Sequence, residues 1–523
     1  MRTYQWIIAS AVAMALAGCG SDEISSAGSS GNITINNPPA QNPGGPGGDP
    51  DPDGDLATPA AGCPTIANGI GLVDGGTIQG PTGEYRVCDL PARFTASTTL
   101  PRLPGVLYAL HDRVDVGTDL GPTAVGGEAS VTLTIEPGVV IFGKAGTSWL
   151  AVNRGNRIQA VGTAQRPIVF TSRDNVLGLA TDDSQGQWGG VVLLGRAPIT
   201  DCRTGTPGPA CDRQTEGAAA PALFGGVTAN DNSGTLKYVQ IRYSGYVLGA
   251  NAELQSLTLG GVGSGTTLDH IQMHNSSDDG FENFGGTADM RQIVVTGADD
   301  DSIDLDVGYK GTIQYLIAVQ KASGSPDSMI ELDSTNSNED QVPRTHMKLA
   351  NFTFVHRNPG TANLAAMLFR GGADATLVNG VVTSPMACLR LAGANILATN
   401  PAIDKVGPPS FASVVMQCGT TATVDGTGVT AAEALNVFNS GTNNNATFSP
   451  TLTGGFINGA NETAAVAVDP QTIDPGFDAI AAPYVGAVRD ATDTWYAGWT
   501  CNSATANFGD TGMSCRSLPS LAD

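Results

Sequence analysis

One acidic motif occurs three times along this chain, and its spacing constrains the fold more than any other feature. The copies occupy residues 278–284, 300–306 and 327–333, and each combines Asp or Glu with apolar residues. The first two copies lie 22 residues apart. A spacing of this size is one coil of a solenoid, so we expect the copies to stack as neighbouring parallel strands.

The region from about residue 90 to 445 contains short strand-like runs separated by Gly, Asn and Asp. The runs are short, alternate between apolar and polar residues, and lack the 3.6-residue period of a helix. They include residues 131–138, 158–163, 167–172, 188–194, 236–241 and 257–259. We therefore predict an all-β fold, and the repeat favours a solenoid over a sandwich.

Several of these segments carry a resemblance to known proteins. Residues 133–138, 158–163 and 167–172 resemble the opening coils of bacterial right-handed parallel β-helices of the pectin-lyase-like type. Other segments resemble a family of exported β-helix proteins, many of which are lipoproteins. These segments are residues 233–239, 260–266, 278–286, 300–311 and 484–488, and the resemblance ends at Trp495 and Trp499. The resemblance covers most of residues 130–500. It implies a right-handed parallel β-helix of uncharacterised function, since β-helices host lyases, hydrolases, adhesins and binding modules.

The N-terminal residues predict export and attachment to a membrane. Residues 1–18 have the basic residue Arg2 near their start, followed by an apolar stretch too short to span a bilayer, as in a signal peptide. They lead into Leu16-Ala17-Gly18-Cys19, which resembles the lipobox of bacterial lipoproteins and implies lipidation of Cys19. The alternative is an ordinary secretory signal followed by a free Cys. By analogy with lipoprotein sorting, Gly20 favours the outer membrane, on either its periplasmic or its surface side.

The remaining chain divides into a tether and a folded body. Residues 19–60 are rich in Gly, Pro and Asn, which predicts a disordered tether. We expect residues 61–129 to form an N-terminal cap and the first coils. Residues 130–445 should form the parallel β-helix, for a body of roughly thirteen to sixteen turns. Residues 446–523 should cap the open C-terminal end of the solenoid.

The cysteines agree with export. Removing Cys19 from the total of nine leaves eight, which fall into four sequence-local pairs, and none has zinc-site spacing. The predicted disulfides are Cys63–Cys88, Cys202–Cys211, Cys388–Cys418 and Cys501–Cys515.

The net charge of the chain restricts the classes of molecule that it can bind. The net charge is −23, which argues against a nucleic-acid partner, and no second apolar stretch is long enough to span a membrane. The expected partners are the membrane, through the lipid anchor, and a glycan or an envelope protein.

The acidic motif supplies the candidate site. If Phe281, Ile303 and Ile330 point inward, then Glu282 and Asp304 point outward in register. The candidate acidic face comprises Asp278, Asp279, Glu282, Asp300, Asp301, Asp304 and Asp306, with Glu331 and Asp333 as possible continuations. Like charges at neighbouring positions destabilise. Three alternatives would relieve them: bound Ca²⁺, ion pairs with Arg370 or Arg390, or simple solvation and Asx turns.

Two functions remain open. The leading hypothesis is a non-enzymatic envelope protein that presents a β-helix surface for binding. The rival is a polysaccharide lyase or glycoside hydrolase, because residues 297–303 superficially resemble the acidic motif of polygalacturonase-type hydrolases. The His-Gly and Arg-Ile-Lys motifs of those enzymes are missing. The nearest basic residues are Lys310, Arg344 and His346, so no catalytic residue is assigned.

Two other groups of residues have weaker signals. His270 and His274 are four apart on one strand, which suits a metal pair or, alternatively, two structural histidines. Five tyrosines could form a sugar-stacking platform or pack between coils: Tyr238, Tyr243, Tyr246, Tyr309 and Tyr315.

Overall fold

The structure, a computed structural model, describes residues 56–208, 210–249, 252–335, 339–360, 364–509 and 513–522. Two long sheets of mainly parallel strands dominate it. The predicted all-β parallel β-helix is therefore confirmed. Cys19, the signal peptide and most of the tether lie outside the described residues. The described chain starts at Leu56, and Ala57 is already buried and bridged to Gly83, so the folded body begins slightly before residue 60.

The larger sheet, sheet 1, has sixteen strands. They are Val73–Gly80, Gly83–Asp89, Thr98–Leu100, Val106–Leu110, Thr132–Ile135, Val140–Gly143, Arg157–Val161, Ile168–Ser172, Gly234–Arg242, Thr267–His274, Met290–Thr296, Thr312–Val319, His346–Val355, Asp374–Thr383, Ser410–Ala412 and Val415–Gln417. All of its pairings are parallel except the antiparallel pair Val73–Gly80 with Gly83–Asp89.

The smaller sheet, sheet 2, has eleven strands, one for each coil. They are Arg93–Phe94, Arg113–Val116, Trp149–Val152, Gly190–Leu194, Leu257–Gly260, Phe281–Phe284, Ile303–Asp306, Ile330–Leu332, Ala365–Phe369, Ala387–Leu391 and Thr423–Val424. Eleven stacked strands extend over about 48 Å. The prediction of thirteen or more turns is wrong, because long insertions such as residues 195–233 use chain without adding a coil.

Short elements complete the described chain. Two-stranded pairs join Thr65–Ile66 to Ile70–Gly71, Arg213–Gln214 to Leu223–Phe224, Val247–Gly249 to Ala252–Glu253, and Cys501–Asn502 to Met513–Ser514. The α-helices are α1 (Arg173–Val176), α2 (Ala431–Ser440) and α3 (Ala460–Ala464), and four 3₁₀ turns occupy Ala67–Gly69, Ala394–Leu397, Pro401–Ile403 and Pro470–Thr472. Among these residues no helix is both long and apolar enough to cross a membrane.

Sheet 1 combines two faces of the solenoid. In the early coils the faces are separate strands, since Arg157–Val161 and Ile168–Ser172 both pair with the single strand Gly234–Arg242. Later strands bend at one residue in the left-handed region, with φ between 51° and 62°. These corner residues stack in register: Tyr238, His270, Gln292, Tyr315, Asn351, Asn379 and Ser413. The bend turns the chain and interrupts the usual alternation of side chains.

Stacked apolar columns fill the interior of the solenoid. One column in sheet 1 contains Ile241, Met273, Val295, Ala318, Phe354 and Val382, all buried in the main core. Each inward side chain therefore packs on an apolar neighbour one coil away, and this burial is the main force that holds the coils together.

The C-terminal end of the solenoid is covered by α2. Thr430 and Glu433 form a capping box at its start. Ala434 and Phe438, one turn apart, are buried in the core, with the Phe438 ring centroid 5.2 Å from that of Phe411. The edge of the last coil is thereby protected.

The described residues of the expected end cap, 446–509 and 513–522, run along the outside of sheet 1 rather than over its end. This segment, called here the C-terminal strap, starts beside Val415 and finishes with Leu521, whose carbonyl accepts a hydrogen bond from the Gly105 amide (2.9 Å). Three outward amide side chains each bond both the N–H and the C=O of one strap residue: Gln272 with Cys501, Gln314 with Asp478, and Asn379 with Val468. The strap thus gains the backbone partners that a strand would supply.

Two further contacts fix the end of the strap. Arg242 is fully buried and donates to the carbonyls of Cys515 (2.9 Å) and Ser517 (2.8 Å). Trp499, which is 1% exposed, packs against the corner residues Tyr238 and His270.

All four predicted disulfides are present. The Cα–Cα distances are 5.5 Å for Cys63–Cys88, 5.1 Å for Cys202–Cys211, 5.5 Å for Cys388–Cys418 and 4.8 Å for Cys501–Cys515. Each bridge is local, as a linear solenoid requires.

Candidate functional site

The acidic face is built by three consecutive strands of sheet 2. Phe281 pairs with Ile303 inside the core, and outside it Glu282 pairs with Asp304, which pairs with Glu331. The predicted register of the three motifs is therefore the observed register. Asp306 lies directly beside Phe284, in a second outward column.

The turns that precede these strands add the remaining predicted carboxylates. Asp279 accepts a hydrogen bond from the backbone N–H of Asp301 (3.0 Å), one coil later. Asp301 accepts one in turn from the N–H of Ser328 (2.6 Å). These two carboxylates thus join successive coils. Asp278, held by the side-chain amide of Gln255 at 3.1 Å, lies at the same level.

Burial makes the face electrostatically unusual. Asp279, Glu282 and Asp301 are each less than 9% exposed. Their burial, reinforced by neighbouring carboxylates, raises the pKa of all three groups and of Asp304 well above the ordinary values. The same causes raise the pKa to about 7 for Asp278 and Asp306 and to about 6 for Asp300.

Within the described chain, ion pairs lie at one end of the acidic face, and Arg213 acts on Asp306 from a longer distance. Arg370 pairs with Glu331 and, at 3.1 Å, with Asp333. None of the seven carboxylates of the predicted face pairs with a Lys, Arg or His of the described chain. Arg390 lies in the same outward column as Glu331, two coils later. The ion-pair alternative therefore accounts for Glu331 and Asp333 at the end of the acidic face. It leaves the negative charge at the centre of the face without a paired cation.

The centre has the donor arrangement of a cation site. Three overlapping triplets have carboxylate oxygens within 4.8 Å of one another: Asp278, Asp279 and Asp300; Asp279, Glu282 and Asp304; Asp301, Asp304 and Glu331. Two oxygens that bind one Ca²⁺ at 2.3–2.6 Å are separated by about this distance or less. The oxygen-only donor set also suits Ca²⁺ better than a softer metal. One oxygen of Asp304 is buried and has no hydrogen-bond partner among the described residues, so it retains the capacity to coordinate a cation.

A groove adjoins the acidic face. Its wall is formed by the insertion between two coils, which the Cys202–Cys211 disulfide crosslinks, together with the paired strands Val247–Gly249 and Ala252–Glu253. The groove has a volume of about 550 Å³ and is lined by Asp201, Arg213 and Glu216, among others. Arg213 connects it to the ladder, because its guanidinium carbon lies 5.6 Å from the centre of the Phe284 ring. The size is that of a small-molecule or oligomer site.

Sequence reasoning missed this wall. Arg213 and Glu216 come from a stretch without strand periodicity, far from the acidic motif in sequence. The available signal was the interruption of the coil spacing at residues 195–233, which coincides with the Cys202–Cys211 pair.

The other basic residues considered for catalysis lie elsewhere or are engaged. Lys310 pairs with Asp404, and Arg344 is fully buried with one nitrogen bonded to the Gly372 carbonyl. His346 has Nε2 at 3.2 Å from the hydroxyl of Thr376, and burial lowers its pKa.

The histidine pair has no shared partner. His270 lies at the corner of its strand and contacts Tyr238 and Trp499, whereas His274 lies beyond the bend and has Nδ1 2.9 Å from the Thr296 hydroxyl. Burial lowers the pKa of His274 to about 3, so it stays neutral. The structural alternative therefore describes this pair.

The five tyrosines do not form one platform. Tyr243 and Tyr309 are buried, and Tyr238 packs under Trp499. Tyr246 is partly exposed, and Tyr315 faces a separate cavity beside the C-terminal strap.

Comparison with known proteins agrees with this architecture. The family model described as "Pectate-lyase like beta helix domain" matches residues 120–500. No curated protein and no solved structure matches the chain. The family match covers the acidic face, the wall of the groove and most of the C-terminal strap.

Proposed function

The chain belongs to the pectate-lyase-like β-helix family, and from that premise we propose that it is a lipid-anchored protein of the outer membrane that binds a glycan or envelope polymer through its acidic face. Cys19 would carry the lipid. The observation that carries the binding proposal is the coincidence of three carboxylate triplets with a groove of about 550 Å³ on the same side of sheet 2.

Calcium is the cation we propose for the face. The triplets offer oxygen ligands alone, and Ca²⁺ accepts irregular sets of six to eight such ligands. Asp279, Glu282, Asp301 and Asp304 would hold it, and Asp278 and Asp300 would extend the site at the turns. A bound cation would also lower the cost of burying these carboxylates.

A bound cation would determine whether negatively charged polymers can bind to the acidic face. The chain has a net charge of −23, so a polyanion is repelled unless a cation lies between them. We therefore expect retention of acidic glycans to require Ca²⁺. Binding is favoured over catalysis because basic groups considered for catalysis are already engaged: Arg370 contacts two carboxylates, and Lys310 pairs with Asp404.

The test combines calorimetry with glycan retention. Purified full-length protein is titrated with Ca²⁺ and then passed over immobilised glycans with Ca²⁺ or with EGTA. We expect Asp301→Asn with Asp304→Asn to lose both Ca²⁺ binding and retention. Asp340→Asn, an exposed carboxylate outside the face, is the control for the loss of charge. Equal Ca²⁺ affinity in the double variant and the native protein would contradict the proposed site.

The anchor has a separate test. Cys19→Ser should convert a membrane-bound protein into one that high-salt washing releases, whereas retention after washing would contradict lipidation. Protease treatment of intact cells then distinguishes the surface side of the outer membrane from the periplasmic side.

A glycan lyase or hydrolase is the second candidate, favoured by one specific observation. Asp278 and Asp306 have pKa values raised to about 7, near the value that suits a general acid or base at neutral pH. Incubation with pectins, alginates and other glycans, with and without Ca²⁺, measures any turnover. Turnover that is abolished by Asp306→Asn in a folded variant would favour catalysis. Its absence across the panel would leave binding as the function.

A further inference from the structure

A second cavity lies on the other side of the molecule, between the corner of sheet 1 and the C-terminal strap. It has a volume of about 480 Å³, within the range of ligand pockets, and it is open to solvent. Its lining includes Gln292, Tyr315, Tyr484, Arg489, Asp493 and Trp495. None of these residues belongs to the acidic face.

Three aromatic side chains line this cavity, and each is held by the surrounding structure. Tyr315 is a corner residue with φ of 62°. The carbonyl of Tyr484 accepts a hydrogen bond from the Asn351 side chain (2.9 Å), and the indole N–H of Trp495 donates to the Ala487 carbonyl (3.0 Å). The backbone of both tyrosines and the indole of Trp495 are thus positioned before binding, which reduces the entropy lost when a ligand packs against them.

The polar groups between the rings retain bonding capacity. Throughout the described chain, nothing hydrogen-bonds the hydroxyl of Tyr315, the hydroxyl of Tyr484 or the side-chain amide of Gln292. This differs from Gln272 and Gln314, whose amides are both bonded to the strap. Burial raises the pKa of both tyrosines, so their hydroxyls remain donors at neutral pH.

We propose that this cavity is a binding subsite for a neutral saccharide. Aromatic rings pack against the apolar face of a sugar ring, and amide, phenol and carboxylate groups match its hydroxyls. The local charge argues against an anionic ligand, because the lining has two carboxylates, Asp490 and Asp493, and one cation, Arg489. The neighbouring charges Asp478 and Arg291 offset each other as an ion pair at 3.5 Å. The subsite is independent of the acidic face and requires no calcium.

Tryptophan fluorescence provides a direct test. Four of the five tryptophans lie in the described chain: Trp149, Trp188 and Trp499 are at most 4% exposed, whereas Trp495 is partly exposed in the cavity. The fifth, Trp6, lies in the predicted signal peptide and is absent from protein that begins at residue 19. This protein, purified in EGTA, is titrated with cellohexaose, maltohexaose, mannohexaose, xylohexaose and chitohexaose, and with hexagalacturonate as the acidic comparison. We expect a neutral oligosaccharide to shield Trp495 from acrylamide, and the effect to disappear in Trp495→Phe.

Two variants and one control locate the subsite. Tyr315→Ala and Gln292→Ala should each weaken binding at least about tenfold while the melting temperature changes little. Tyr246→Ala removes a partly exposed tyrosine elsewhere and should bind as the native protein does. The proposal is overturned if no neutral oligosaccharide of the set protects Trp495 at about 10 mM. It is also overturned if hexagalacturonate binds more tightly, or if all three variants behave alike.

Discussion

Replacing Asp306 by Asn should stabilise the calcium-free protein strongly at alkaline pH and much less at acid pH. Burial raises the pKa of Asp306 from 3.8 to about 7, and the nearby Asp333 carboxylate reinforces the effect. Between these two values the folded protein binds more protons than the unfolded chain. Stability contributed by this group is therefore complete at low pH and is lost as the pH rises through the folded-state pKa.

The size of the pKa shift sets the expected gain in the free energy of unfolding. A shift of three pKa units corresponds to about 4 kcal/mol. We expect a gain of about 2–4 kcal/mol, because the side chain of Asp306 is only partly buried at the surface of the sheet. Asn retains an oxygen that can accept the bond now donated by the Val307 amide. For a folded body of about 460 residues, the corresponding rise in melting temperature is about 2–4 °C.

Calorimetry in EGTA at pH 8 and pH 4.5 measures the effect. Asp340→Asn, an exposed carboxylate outside the face, serves as the matched control and should shift neither melting temperature appreciably. With Ca²⁺ in excess at pH 8, the advantage of Asp306→Asn should become smaller, because a cation bound by the neighbouring carboxylates would attract the charge of Asp306. A variant less stable than the native protein at pH 8, or a gain that is equal at both pH values, would refute this electrostatic account.

Three further outcomes are expected. Arg370→Ala leaves Glu331 and Asp333 without their cation and should cost about 1–3 kcal/mol in EGTA but less in Ca²⁺, as measured by denaturant unfolding. Gln272→Ala removes two hydrogen bonds to Cys501 and should speed hydrogen exchange and proteolysis in the C-terminal strap. Reduction of all four disulfides should lower the melting temperature without loss of the β-sheet circular dichroism signal, since every bridge closes a short local loop.

The solenoid could be predicted because its signal is local and repeated. Phe281 and Ile303 are one coil apart in sequence and one strand apart in space, so a single spacing specifies both the pairing and the outward position of Glu282. The disulfides followed for the same reason: in a linear stack, a cysteine finds its partner within about one coil. Local periodicity thus gave the fold, the register of the acidic face and the four bridges.

The strap, the groove wall and the corners could not be predicted in this way. Strap residues bond side-chain amides rather than a neighbouring strand, so they need no alternating pattern of their own. The clue was on the partner strands, where Asn379 interrupts the apolar run of residues 377–382 and Gln272 lies between Ile271 and Met273. At His270, a left-handed backbone breaks the period-two alternation on which the expected pairing with His274 depended. The left-handed corner residues become visible as a pattern only when neighbouring coils are aligned, and the sequence of one strand does not show that alignment.

The path of the strap has a consequence for the order in which the molecule can be completed. Leu518 and Leu521 share a small apolar cluster with Ala57 and Tyr85, so residues that lie more than 430 positions later in the sequence pack on the first coil. Since synthesis proceeds from the N-terminus, one apolar flank of that coil stays uncovered until residue 521 has emerged. Polar substitution of Leu518 and Leu521 should therefore destabilise the first coil before it affects the later ones.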